Sequence, residues 1–325
     1  MRAVVTGAAG FIGSHLADRL LADGHQVLGI DNFSDYYSRT LKERNLETAF
    51  RHTGFRFREL DLVEDDLRES LAGAEVVFHL AARSGLRASR RNQFDHYVRD
   101  NVLATQRLLE VLKGSSIKRL VYAGSSSVYG DAERLPTKET TIPRPLSHYA
   151  VTKLAAESLV QLYGRNFKLP VVALRYFYVY GPRQRPDMAI ARFMRALVHG
   201  EEIEVFGDGE QTRDFTYVSD AVEATVRAAS AEVIGETLNV GGGSRATLND
   251  VLAMIGRLTG LEIRKHHAPA APEDHRHGGA SINLARQHLH WEPRVSLRDG
   301  LTRQWSWFEE QAAQREFGSA VMASA

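Results

Sequence analysis

Short apolar runs recur along the first 180 residues, and stretches with helical spacing of apolar positions lie between them. The runs are Ala3-Val4-Val5, Gln26 to Ile30, Phe55-Arg56-Phe57, Glu75 to Leu80, Arg119 to Ala123 and Val171 to Arg175. Each has the length and composition of a strand buried on both faces. The intervening stretches, Ser14 to Leu21, Tyr97 to Leu112 and Tyr149 to Phe167, predict helices. Strands alternating with helices call for a parallel sheet covered on both sides. The predicted sheet domain comprises 1–177 plus about 212–245. A smaller mixed α/β lobe near the C-terminus comprises about 178–211 plus 246–315, and 316–325 is expected to be a loose tail.

Residues of chemical interest cluster where the strands should end. The first strand runs into Thr6-Gly7-Ala8-Ala9-Gly10-Phe11-Ile12-Gly13, with a helix pattern directly behind it. Strand, glycine-rich turn and helix start make a pyrophosphate site, because the backbone approaches the phosphates and the helix N-terminus supplies N–H groups. The second strand ends in Asp31-Asn32. An acid there accepts hydrogen bonds from both ribose hydroxyls of an adenosine and repels a 2′-phosphate, so NAD is expected over NADP. Asp61, Ala81-Ala82 and Ser125 also fall at carboxyl ends of strands, where an open α/β sheet has its ligand crevice. The expected fold is therefore a Rossmann-like doubly wound parallel sheet.

Tyr149 and Lys153 are four apart and share one helix face. An ammonium beside a phenol is expected to lower the phenol's pKa, and Ser125 is placed to hydrogen-bond the same reacting oxygen. This is equipment for moving a proton on and off a hydroxyl while hydride leaves its carbon.

Together these residues resemble the extended short-chain dehydrogenase/reductase family, and within it the NAD-dependent nucleotide-sugar 4-epimerases, most closely those acting on UDP-glucuronate. The resemblance runs from Met1 to about Gln311. It is carried by Thr6 to Gly13, Asp31-Asn32, Asp61-Leu62, His79 to Ala82, Ser125 to Gly130, Tyr149/Lys153, Arg175-Tyr176-Phe177 and Tyr180 to Ala189. It implies that Gly7, Gly10 and Gly13, with Phe11 and Ile12, hold the NAD pyrophosphate. Asp31 and Asn32 hold the adenosine ribose, and Asp61 and Leu62 flank the adenine. Leu80, Ala81, Ala82, Asn101 and Tyr176 are further cofactor positions, and Lys153 also holds the nicotinamide ribose. Tyr149 is the implied base, with Ser125 as its partner. Arg213 and Arg276 resemble the clamps on a UDP-sugar diphosphate and Asp274 a ribose contact, while Val205 and Phe206 lie in the segment that stacks the uracil. A homodimer through the Tyr97–Leu112 and Tyr149–Phe167 helices is also implied.

The family's keto intermediate can be reduced again, lose water or lose a carboxylate. Relatives that eliminate water or decarboxylate carry a carboxylate just before the Val-Tyr-Gly motif. Here Ser126 and Ser127 stand there, so epimerisation is expected. The serines, with Arg185 and Arg87 as cationic candidates, suit a 6-carboxylate, and UDP-glucuronate/UDP-galacturonate is the expected pair. UDP-glucose/UDP-galactose 4-epimerisation is the alternative, and a non-catalytic NAD-binding sensor is a second. Tyr178 keeps the neutral sugar open: the resemblance puts Thr or Asn there, facing the sugar, and a Tyr either narrows the pocket or turns into the core. His148 replaces a usual proline, so a looser start to the Tyr149 helix is expected. Gly124 and Ser281-Ile282-Asn283 also depart from the family pattern and are given no function.

Composition adds limits. Net charge is +1, which gives no electrostatic case for nucleic acid. Cysteine is absent, so no disulfide forms. The thirteen histidines show no metal-ligand spacing, and no metal is expected. No apolar run of membrane-spanning length occurs, and the chain starts directly on a strand pattern. A cytoplasmic protein without a leader is expected.

Overall fold

The computed structural model describes residues 1–85 and 93–323, with side chains through 313. Thirteen strands are present among them: β1 Arg2–Thr6, β2 Gln26–Asp31, β3 Phe55–Glu59, β4 Val76–His79, β5 Arg119–Ser125, β6 Val171–Tyr176, β7 Val179–Tyr180, β8 Ile203–Phe206, β9 Thr212–Asp214, β10 Thr216–Tyr217, β11 Glu236–Val240, β12 Arg245–Thr247 and β13 Lys265–Ala268. Seven of them form one sheet in the order β11-β6-β5-β4-β1-β2-β3. Every pairing in that sheet is parallel.

Residues of a strand alternate between the two faces, and both faces here are covered. Ala3 and Val5 enter one core with Leu16, Leu20 and Ala221, while Val4 enters the other with Leu108, Leu112 and Val160. This is why the strands read as unbroken apolar runs. The chain builds outward from β1 to β3 and then returns to place β4 on the other side of β1. Strand order reverses between β1 and β4, and the crevice beyond their carboxyl ends is the natural ligand site.

The first core continues out of the sheet. Ile190, Phe193, Met194, Ile203, Val205, Val251 and Ile255 belong to the same buried cluster as Val5 and Leu16. Three small pairings lie outside the main sheet: β7 with β10 and β8 with β13, both parallel, and β9 with β12, antiparallel. The Rossmann-like parallel sheet and the smaller mixed lobe are thus both present.

Three local features differ from expectation. The Tyr97–Leu112 helix is a helical turn at Phe94–Tyr97, a π-helical stretch at Val98–Leu103 and an α-helix at Ala104–Leu112. The wide turn carries buried Asn101, whose amide donates to the Arg83 carbonyl and the Thr152 hydroxyl, each at 3.0 Å. The helix of Tyr149 runs His148–Phe167 and does not begin loosely. Ser147 caps it, its hydroxyl accepting from the Ala150 N–H at 3.1 Å, and this supplies the order that proline was expected to give. The last helix, Leu297–Ala323, extends over most of the expected tail.

Candidate active site

Two cavities meet at the carboxyl edge of the sheet. One, of about 210 Å³, runs past Gly7, Gly10, Gly13, Asp31, Asp61 and Lys153. The other, about 630 Å³, runs past Ser125, Ser126, Ser127, Tyr178, Phe206 and Arg213. Phe11, Ile12, Tyr36, Tyr149, Tyr176 and Arg185 line both.

The glycine turn is shaped by close approach. Gly7 has φ +70°, and a Cβ there would sit 2.8 Å from the Ala81 nitrogen. A Cβ on Gly13 would sit 2.1 Å from the Gly7 carbonyl oxygen. The Gly7 N–H donates to the Ile30 carbonyl at 2.8 Å, fixing the turn to the end of β2. The helix Phe11–Ala22 starts at Gly10 with no side-chain cap, which leaves its first N–H groups for an anion.

Asp31 is fixed beside this turn. Its Oδ2 accepts the Ala9 N–H at 3.1 Å and its Oδ1 the Phe33 N–H at 2.9 Å. Burial raises its pKa, opposed by the charge of Lys42 and by the two N–H bonds. Asp61 accepts from Asn32 Nδ2 and Arg99 Nη2, both at 2.9 Å, and from the Val63 N–H at 2.8 Å. Burial would raise it, but these partners hold it below the usual carboxylate value. Leu62, Leu80, Ala81 and Ala82 complete the wall. A glycine cradle that a Cβ would fill, an uncapped helix start and a fixed carboxylate on β2 fit a dinucleotide. Asn101 does not line the cavity, since its amide is spent on Arg83 and Thr152.

Ser125 ends β5, and its hydroxyl accepts the Ser127 N–H at 3.2 Å. It also hydrogen-bonds the Tyr149 phenol. Burial raises the Tyr149 pKa, with Ser125 and the charge of Arg185 working against it. Lys153 was expected to supply that lowering. Instead its Nζ lies 4.4 Å from the centroid of the Tyr122 ring, and burial brings its own pKa down to about 7, opposed by Glu157.

Beneath these groups the packing is rigid. His79 joins Thr6 at 2.7 Å and Thr105 at 3.0 Å, and burial, then Lys153, hold its pKa down to about 3. Glu157, one turn after Lys153, pairs with Arg175 at 2.5 Å, both side chains almost fully buried. Arg175 also donates to Tyr129, and Tyr129 to Asn239, each at 2.7 Å.

In the larger cavity, Arg185 donates to Asp187 through Nε at 3.0 Å and Nη2 at 3.1 Å. Arg213 donates to Asp274 Oδ1 at 2.5 Å, and both residues line the wall. Tyr178 also lines it, its ring edge-on to Phe215 at 5.2 Å and its hydroxyl toward the N–H groups of Ala189 and Ile190. Burial raises this phenol to about 12. The two readings of Tyr178 merge: it packs on the core and still faces the cavity.

Two expected residues lie elsewhere. Arg276 is outside the lining, donating to both oxygens of Asp208 at 2.6 and 2.8 Å on the surface. In β8 burial alternates, so Phe206 lines the cavity while Val205 points into the core. Arg87 lies outside the described residues.

Tyr36, Asp187, Glu157 and His275 were not foreseen. Glu157 carried a signal as the next i, i+4 position after Lys153, and Asp187 as a member of the Tyr180 to Ala189 run. Among the described residues no cluster of three or more His, Asp or Glu is placed to hold a metal ion.

A dinucleotide cradle joined to a Ser-Tyr-Lys set and a second, larger cavity defines a class of enzyme that works on a hydroxyl with a bound nicotinamide. The chain belongs to the NAD dependent epimerase/dehydratase family, whose profile matches residues 3–241, and NAD is its cofactor. It is 43% identical over 306 residues to an uncharacterized UDP-glucose epimerase, YtcB, of Bacillus subtilis, covering 94% of this chain and 96% of that one. It is 37% identical over 312 residues to the UDP-glucuronate 4-epimerase of Thermodesulfobacterium geofontis, again covering 94% and 96%. The crystal structure of UDP-glucuronic acid 4-epimerase from Bacillus cereus, in complex with UDP-glucuronic acid and NAD, superposes with a TM-score of 0.93 at 40% identity, covering 96% of this chain and all of that one.

Proposed function

We propose that this protein interconverts UDP-glucuronate and UDP-galacturonate at C4 of the sugar. Its class is that of an NAD-dependent UDP-sugar 4-epimerase, an isomerase. The observation that carries the choice of sugar is the wall around Tyr149. Arg185, Ser126 and Ser127 line the same cavity as the phenol, with no carboxylate at 126 or 127.

Bound NAD supplies the hydride acceptor and donor. Tyr149 Oη, hydrogen-bonded to Ser125, takes the proton of the sugar 4-hydroxyl and later returns it. Lys153 is buried beside the cofactor cavity, where it is proposed to hold the nicotinamide ribose. Arg185, Ser126 and Ser127 hold the 6-carboxylate. Held there, its C–C bond stays out of line with the C4 carbonyl, and the β-keto acid keeps its CO₂. The sugar turns in the larger cavity, so that C4 would be reduced on its opposite face while Tyr149 returns the proton to the C4 oxygen.

Arg213, Asp274 and Phe206 are the proposed diphosphate, ribose and base contacts, the last two contributed by the lobe of about 178–211 and 246–315 and Arg213 by the start of the 212–245 stretch. Arg276 would have to leave Asp208 to join them. Neutral UDP-hexose epimerisation remains the second reading, favoured by the apolar ring of Tyr178 at the cavity wall. The complete Ser125, Tyr149 and Lys153 set speaks against a non-catalytic sensor.

A homodimer is proposed through the helices of Val98, Leu103, Val151, Leu162 and Phe167, all exposed apolar residues. Light scattering at a two-chain mass supports it, and a single-chain mass refutes it. A cytoplasmic location is proposed; no helix among the described residues is long and apolar enough to cross a membrane.

The substrate assignment is tested with Arg185→Gln. Loss of a charged partner for the carboxylate should lower kcat/KM for UDP-glucuronate at least about a hundredfold, and far less for UDP-glucose. Equal losses for both sugars remove Arg185 as the carboxylate site.

A further inference from the structure

The segment that presents Arg185 is fastened to the cofactor helix. It leaves β7 at Gly181 and passes through Arg183, whose φ is +62°. A side chain with a Cβ rarely adopts that left-handed backbone, and it persists only where surrounding contacts impose it. The contacts here come from the helix Phe11–Ala22. Arg183 Nη1 donates to Asp18 Oδ2 at 2.8 Å, the two side chains being 18% and 22% exposed. His15 Nε2 lies 2.9 Å from the Pro182 carbonyl oxygen. A carbonyl only accepts, so the proton sits on Nε2. Burial and the neighbouring Arg183 charge hold the ring neutral, with a pKa of about 4.

Two residues further on, Arg185 grips Asp187 with two donors, and Tyr36 donates to the same carboxylate at 3.1 Å. Tyr36 follows Asp31, so both ends of the segment are held by elements of the cofactor site. Without the ends fixed, Arg185 would sweep a range of positions, and a carboxylate reached by a mobile guanidinium is bound less tightly.

We propose that His15, Asp18 and Arg183 are positioning residues: they latch the 181–187 segment onto the cofactor helix and so set Arg185 for an anionic sugar. The proposal rests on the uronate reading above. None of the three residues lines either cavity, so none touches the reacting atoms.

The test compares wild type, Arg183→Gly, Arg183→Lys and Asp18→Asn, each with UDP-glucuronate and UDP-glucose. Glycine suits the left-handed backbone, so Arg183→Gly removes the latch while relieving strain. The latch predicts that Arg183→Gly and Asp18→Asn raise KM for UDP-glucuronate about tenfold, with kcat within twofold and KM for UDP-glucose within twofold. Arg183→Lys, which keeps the charge, should recover part of the loss. If Arg183→Gly raises the melting temperature and leaves both KM values unchanged, Arg183 has only a structural cost and the latch is refuted. An equal rise in both KM values refutes it also, because the effect is then not directed at the carboxylate. If wild type fails to favour UDP-glucuronate, the uronate reading fails, and the latch falls with it. A wild type that favours UDP-glucuronate beside unresponsive variants overturns the latch alone.

Discussion

Gly13→Ala isolates the cofactor cradle. An alanine Cβ at 13 would lie 2.1 Å from the Gly7 carbonyl oxygen and 2.9 Å from its carbon. Ordinary contact needs roughly 1 Å more. Gly7 has no room to yield, because it is hydrogen-bonded to Ile30 at 2.8 Å and packs on the Ala81 backbone. The turn or the helix start must therefore move by about an ångström away from the phosphates. Losing two N–H bonds to a charged phosphate costs about 3–6 kcal/mol, or at least about a hundredfold in NAD affinity. The assay is the NAD released from purified, denatured protein, with calorimetric titration of the stripped form. Gly24→Ala is the control: it also has positive φ, +79°, but meets nothing within 4 Å. It should lower the melting temperature by a few degrees and keep full NAD. If Gly13→Ala retains one NAD per chain with unchanged affinity, the close-approach argument is wrong.

Three further outcomes are expected. Tyr149→Phe should lose at least about a thousandfold in kcat while keeping NAD, since only the proton-transferring hydroxyl is removed; near-normal turnover would remove Tyr149 as the base. Ser127→Ala should release some UDP-pentose from UDP-glucuronate, or slow epimerisation, as read by NMR; neither change would refute the restraint on the carboxylate. His15, His79 and His275 have folded pKa values of about 4, 3 and 4, below the ordinary 6.5. Their depressed values mean that the unfolded chain binds more protons between pH 4 and 6.5. Stability present above 6.5 is therefore lost as pH falls, on the order of 4 kcal/mol for the three between pH 7.5 and 5.5. A melting temperature that is flat over this range would contradict their lowered folded values.

The cofactor half of the site was legible because its determinants are local. The turn of Gly7 to Gly13, the strand-end Asp31 and the Tyr149–Lys153 spacing each lie within one strand–turn–helix unit. What escaped depends on distant contacts. Tyr36 and Asp187 meet across 151 positions of sequence. Arg213 and Arg276 look alike as sequence, yet Asp208 draws Arg276 to the surface while Arg213 faces the cavity. The π-helical stretch at Asn101 follows from bonds to Arg83 and Thr152, which no periodicity encodes. The electrostatics of Tyr149 also misled: helical spacing put Lys153 beside it, but the fold turns that ammonium onto Tyr122 and brings Arg185 to the phenol.

The central claim is tested most directly by incubating the purified protein, with no added NAD, with UDP-glucuronate and following the sugar anomeric proton by NMR. UDP-galacturonate should appear and approach a fixed ratio, faster than UDP-galactose forms from UDP-glucose in a parallel tube. Turnover of UDP-glucose alone, or of neither sugar by protein carrying NAD, would contradict the account.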